Sequence, residues 1–205
     1  AQRLDHAPGA APGIDSALRL RDPRRLVVVE VLVVDDHVDV AQLTELAHIA
    51  EIPVVTTLMA RGAFPDSDPL HMGMPGMHGA VSAVGALQKS DLLITIGARF
   101  DDRVTNNVAK FCPNAKIIHV DIDPTSISKT IQVDVPIVGA VDTVLDQMLE
   151  AVAELGLEID DGALADWWEQ IDGWRAKRCL AYEKSNGIIK PQQVIEALYK
   201  ATDGK

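Results

Sequence analysis

Runs of aliphatic and β-branched residues alternate along the chain with stretches in which apolar residues recur every three or four positions. Leu26–Val34 (L-V-V-V-E-V-L-V-V) is apolar throughout except at Glu30, the pattern of a strand buried on both faces. Asp35 and Asp36 close it, and Asp39 is placed to cap a helix carrying Val40, Leu43, Ala47 and Ala50 on one side. Pro53 opens a short strand over Val54–Thr57, and a loop rich in Gly, Pro and Met then runs to about Gly79. Asp91–Ile96 and Lys116–Asp121 read as further strands, and Asp123 followed by Pro124 reads as the start of a short helix. Val133–Val138 is another strand. Val141, Val144, Leu145, Met148, Leu149 and Val152 then form the apolar stripe of an amphipathic helix.

Alternation of this kind predicts an α/β fold: a doubly wound, six-stranded, mainly parallel sheet with helices on both faces. Beyond Leu157 the strands stop. Asp160–Gly162 reads as a turn, Trp167, Trp168, Ile171 and Trp174 sit on a helix, and a last helix starts at Pro191 with Val194, Ile195 and Leu198. The expected organisation is a flexible segment over 1–13, the α/β domain over 14–157 and a helical extension or linker over 158–205.

Composition narrows the function classes. The 205 residues suffice for one such domain, and aromatics at 4% leave the core to Val, Ile, Leu, Ala and Met. A net charge of −11 argues against a nucleic-acid partner, because phosphates need a basic stripe. A single phosphate-bearing ligand needs only one or two local cations and backbone N–H groups. The longest apolar run is shorter than a membrane span. Cys112 and Cys179 stand far apart, in keeping with reduced thiols and a cytoplasmic protein.

Three segments carry candidate chemistry. G-A-R-F-D-D-R (Gly97–Arg103) follows a strand, where Gly97 permits close ligand approach and Arg99 and Arg103 can meet phosphate; paired Arg and Asp residues on a solvated loop explain it equally well. H-V-D-I-D (His119–Asp123) puts Asp121 at a strand end 24 positions after Gly97, near where dinucleotide folds place a ribose-binding acid, although no G-x-G-x-x-G is present. G-M-P-G-M-H-G (Gly73–Gly79) offers an open backbone and soft Met surface to a planar ligand. Neither His71 nor His78 has metal-ligand spacing with a third residue, and no nucleophile motif appears.

T-T-L-M-A-R-G-A-F-P (56–65), G-M-P-G-M-H-G (73–79), D-L-L-I-T-I-G-A-R-F-D-D-R-V (91–104) and K-I-I-H-V-D-I-D-P (116–124) together resemble the acetohydroxyacid (acetolactate) synthase large subunit. The resemblance extends over roughly 14–205 and implies the central of three domains, with a Rossmann-like, DHS-like NAD/FAD-binding fold. It implies FAD in a structural role, bound by Thr57, Leu58, Pro75, Gly76, Met77, His78, Gly97, Arg99, Arg103 and Val104. The adenosine end would lie at Asp121, Ile122, Ala140 and Val141. Thiamine diphosphate and magnesium belong to the flanking domains, so the resemblance implies no turnover by this segment alone. A regulatory subunit is a further implied partner.

Two departures from the family pattern define an alternative. Val31, Leu32 and Val33 stand where the family has glycines, and Ala140 stands where it has Asp. Added Cβ atoms at Val31, Leu32 and Val33 close one wall of the groove, and Ala140 removes a polar contact to the nucleotide end, which together give the reading of a cofactor-free scaffold or interaction domain. An NAD-dependent deacylase is a third reading, on fold analogy alone.

Overall fold

The structure, a computed structural model, describes residues 13, 27–31, 40–155, 161–185 and 187–204, with 27–31, 155 and 161–163 described in their backbone only. Six strands are present among them: β1 (Val27–Val31), β2 (Val54–Thr56), β3 (His71–Gly73), β4 (Leu92–Ile96), β5 (Lys116–Asp121) and β6 (Val135–Val138). The helices are α1 (Val40–Ile49), α2 (Val81–Lys89), the single turn α3 (Asp102–Thr105), α4 (Val141–Leu155), α5 (Asp161–Arg175) and α6 (Pro191–Thr202). The strands lie in the order β3-β2-β1-β4-β5-β6, and every neighbouring pair is parallel. The α/β class with parallel strands is therefore as the sequence pattern predicts.

Alternation along the strands divides the core in two. Val54, Ile94, Ile96, Ile118 and Ile137 face α1 and α4, which contribute Leu43, Ala47, Val144 and Leu145. Val55, Leu93 and Ile117 face the opposite way, toward Ala83, Ala86 and Leu87 of α2 and Trp167 and Ile171 of α5. Parallel strands buried on both sides must be apolar at successive positions, which is why they read as unbroken runs.

Four local expectations change, the first being the turn expected over Asp160–Gly162, where Asp161 and Gly162 are instead the first residues of α5. The long loop after β2 contains a strand, β3, whose three residues are too few to show a period and whose pairing with β2 is irregular between Val54 and Val55. The helix expected after Asp123 is a run of turns over 124–128, ending on Ser128 at φ 57°. Asp123 caps a turn there instead, its Oδ1 accepting the Thr125 N–H at 2.8 Å. Burial also separates the two helices of the expected extension. In α5, Trp167 and Ile171 are fully buried, and Trp174 lies so close to Gly85 that a Cβ there would come within 2.7 Å of its ring. In α6 no residue is buried. The expected Asp39 cap and segments 1–12 and 14–26 lie outside the described residues.

Candidate ligand site at the carboxyl edge of the sheet

In a doubly wound sheet the strand order reverses at one point, and loops on either side splay apart to leave a crevice beyond the carboxyl ends. Here the reversal falls between β1 and β4, since β1 leads through β2 to β3 on one side while β4 leads to β5 and β6 on the other. Each sequence-predicted residue lies beyond, or at, the carboxyl end of a strand. Thr57 and Leu58 follow β2, Pro75–His78 follow β3, and Gly97, Arg99, Arg103 and Val104 follow β4. Asp121 ends β5 with Ile122 next, and Ala140 and Val141 follow β6. From β2 to β5 are three strand spacings, about 14 Å.

Backbone contacts join several of these segments. The Met77 N–H donates to the Arg103 carbonyl at 3.0 Å, tying the loop after β3 to the loop after β4. Gly76 makes this approach possible: at φ 88°, a Cβ there would lie 2.2 Å from the Arg103 oxygen. The Gly97 N–H donates to the Val120 carbonyl at 2.7 Å, and Gly139 N–H to the Asp121 carbonyl at 3.1 Å. Two pieces result, 75–78 with 103–104 on one side and 121–122 with 139–141 on the other, with Gly97 bonded to the strand that carries Asp121. No bond joins Thr57 or Leu58 to either piece among those described.

The chemical surface is mixed. Thr57 is buried, and its hydroxyl oxygen has no hydrogen-bond partner among the described residues. A buried hydroxyl left this way costs free energy unless water or a ligand reaches it. Leu58, Met77 and Ile122 are exposed apolar side chains at the same edge, joined by Met59, which the sequence reading passed over. Asp121 is buried; its Oδ1 accepts the Asp123 N–H at 2.8 Å, and its Oδ2 lies 3.7 Å from His119 Nε2. His119 is fully buried against Phe100, and burial holds its pKa below the usual imidazole value although Asp121 pulls it up. Arg99 pairs with Asp101 at 2.8 Å on the exposed surface, so the solvated Arg–Asp pairing describes its position. His78 is exposed, and no cluster of three metal-ligating side chains occurs among the described residues.

Of the three positions where glycines are replaced, Val31 is described only in its backbone, and Leu32 and Val33 lie outside the described residues. Ala140 is half-buried at the turn from β6 into α4. No described helix is long and apolar enough to cross a membrane. Cys112 is buried and Cys179 exposed, with no disulfide between them.

A parallel sheet wound on both faces, with its loops gathered at the carboxyl edge around an order reversal, defines the doubly wound α/β class. Within that class, the chain belongs to the family of the thiamine pyrophosphate enzyme central domain, which it matches over residues 29–148. It is similar to the acetolactate synthase large subunit of Haemophilus influenzae, at 49% identity over 80% of this chain and 28% of that protein. The large subunit of acetolactate synthase isozyme 3 of Escherichia coli is 48% identical over 80% of this chain and 28% of its own length. The corresponding large subunit of Corynebacterium glutamicum is 54% identical over 78% and 25%. The chain thus spans about a quarter of the length of these relatives.

Proposed function

We propose that this chain serves as the central domain of an acetolactate synthase large subunit, holding FAD at the carboxyl edge of its sheet in a structural role. The observation that carries the reading is the gathering of Thr57, the 75–78 loop, Gly97, Arg103 and Asp121 along one edge, across the strand-order reversal. The residues suit the group. Thr57 has a buried hydroxyl in need of a polar partner, and Leu58 and Met77 offer apolar surface to a planar ring. Gly76 and Gly97 take positive φ, and Asp121 keeps its Oδ2 clear of the bond made by Oδ1. Arg99 and Arg103 would meet the pyrophosphate, and Asp121, Ile122, Ala140 and Val141 the adenosine end.

In this reading the chain turns over no substrate alone. The relatives are about four times longer, and their family name refers to thiamine pyrophosphate. That cofactor, its magnesium and a regulatory subunit belong with parts of the assembly beyond this domain, in a cytoplasmic enzyme of branched-chain amino-acid synthesis. The test is a visible spectrum of the purified chain after incubation with FAD and desalting, together with thermal unfolding at increasing FAD. Retained flavin absorbance and stabilisation by about 2.7 kcal/mol at a hundredfold excess over Kd are expected. A colourless protein whose unfolding ignores FAD would instead be the cofactor-free scaffold.

A further inference from the structure

The loop from β2 to β3, residues 57–70, is closed at its base by a ring of side chains. Thr56, the last residue of β2, is fully buried, and the side chain of His71, the first of β3, is 4% exposed. His71 Nε2 lies 2.9 Å from Thr56 Oγ1, and its Nδ1 lies 3.2 Å from Asp66 Oδ1. Arg61 completes the ring, with Nη1 donating to Thr56 Oγ1 at 3.3 Å and Nη2 donating to Asp66 Oδ2.

The Arg61 guanidinium only donates, so Nε2 of His71, 3.4 Å from its Nη1, is the accepting nitrogen, and the ring hydrogen sits on Nδ1, which faces Asp66 at 3.2 Å. The Thr56 hydroxyl then donates to Nε2 while accepting from Arg61. All bonds are satisfied when the imidazole is neutral. A second proton would turn Nε2 into a donor 3.4 Å from the Arg61 guanidinium and leave the Thr56 hydrogen without its acceptor. The order Asp66–His71–Thr56 imitates a nucleophilic triad, but a hydroxyl buried in this way meets no substrate.

The charges around His71 come from three elements. Asp66, Asp68 and Arg61 lie on the loop, and Arg175 of α5 donates to the carbonyls of Pro69 and His71. His48 of α1 bonds Asp68 at 2.8 Å. Burial is the largest influence on His71 and lowers its pKa; Asp66 and Asp68 oppose this, and Arg61 and Arg175 add to it.

We propose that His71 is a positioning residue: in its neutral form it clasps the 57–70 loop to the sheet and fixes the strand end from which Thr57 and Leu58 enter the ligand site. Protonation opens the clasp. The consequence for a ligand rests on the flavin reading, whereas the clasp itself does not.

The test is amide hydrogen exchange of the full chain, corrected for intrinsic rates, between about pH 5 and 7.5, with the His71 ring titrated by NMR. Protection across 58–70 is expected to fall on acidification below about pH 6.5, while 73–79 keeps its protection. His71→Asn, which retains a donor toward Asp66 but cannot titrate, should flatten that dependence. Asp66→Asn keeps the imidazole and should move the ring titration to lower pH, whereas Arg61→Gln should move it higher. Protection of 58–70 that ignores pH, or an acid response that persists in His71→Asn, overturns the clasp. FAD affinity that stays constant while the loop opens overturns the positioning role. FAD that fails to bind at every pH overturns the flavin reading alone, with exchange still deciding the clasp.

Discussion

Two loops border the candidate ligand site and are tied down by different means. The loop after β3 is locked by backbone: Met77 N–H bonds the Arg103 carbonyl, Gly79 N–H bonds the Gly76 carbonyl at 3.0 Å, and Gly76 leaves room for no side chain. The loop after β2 has backbone bonds within itself, such as Ala60 N–H to the Thr57 carbonyl at 3.1 Å, but its side-chain tie to the strand ends runs through Arg61, Asp66 and His71. A backbone lock has no titratable group and fails when a Cβ intrudes. A side-chain lock tolerates small changes of shape and fails when a proton is added. The same edge of one sheet therefore combines a steric and an electrostatic mode of control.

Glycine substitution separates the two most sharply. Gly76→Ala meets both a positive φ and a carbonyl oxygen 2.2 Å from the new Cβ, so a loss of about 3 kcal/mol or more in unfolding free energy is expected. Gly62, in the other loop, also has a positive φ, but a Cβ there has nothing within 4 Å. Gly62→Ala should cost only the backbone term, about 1 kcal/mol, by urea unfolding of both variants side by side. Equal losses would remove the steric lock.

Acid should act the other way round. His71 and His119 both have pKa values held down by burial in the folded chain. The unfolded chain then binds more protons below about pH 6.5, so their contribution is fully present above that pH and is lost as pH falls toward the folded values. Thermal unfolding between pH 7.5 and 5 should show a falling Tm, and His71→Asn should remove part of the fall. The smallest effect on stability is expected at Arg99, whose pair with Asp101 is largely exposed. Arg99→Ala should leave the urea midpoint almost unchanged, since such pairs contribute about 0–1 kcal/mol, yet weaken FAD about tenfold by loss of a charged hydrogen bond. Unaltered FAD affinity would take Arg99 out of the site.

How much of this was legible in the sequence depends on the range of each interaction. Buried parallel strands carry their signal locally: Lys116–Asp121 has the bounds the sequence pattern predicts, and Asp91–Ile96 differs by a single residue from β4. Gly97 and Asp121 were legible as candidate positions for the same reason, as a glycine and an acid at the ends of such strands, whereas Thr57, Leu58, Ala140 and Val141 entered only through the family resemblance. Strand β3 was not legible, because three residues at an edge contain no period. The His71 ring was hidden because Thr56 and His71 are 15 positions apart and meet only once β2 and β3 pair. Trp167 and Trp174 could be recognised as anchors, but not that Gly85 on α2 makes room for Trp174 and so joins α5 to the core. A hydrophobic stripe says that a helix face is suited to burial, not what buries it. This is why α5 and α6 looked alike in sequence and differ in the fold.

The central claim is that the carboxyl edge of this sheet holds FAD, and an equilibrium titration of the purified chain followed by flavin fluorescence tests it most directly. Saturable one-to-one binding that is weakened by Arg99→Ala at unchanged stability is the predicted result. A flavin signal that never saturates, or that is the same with and without the protein, would contradict it.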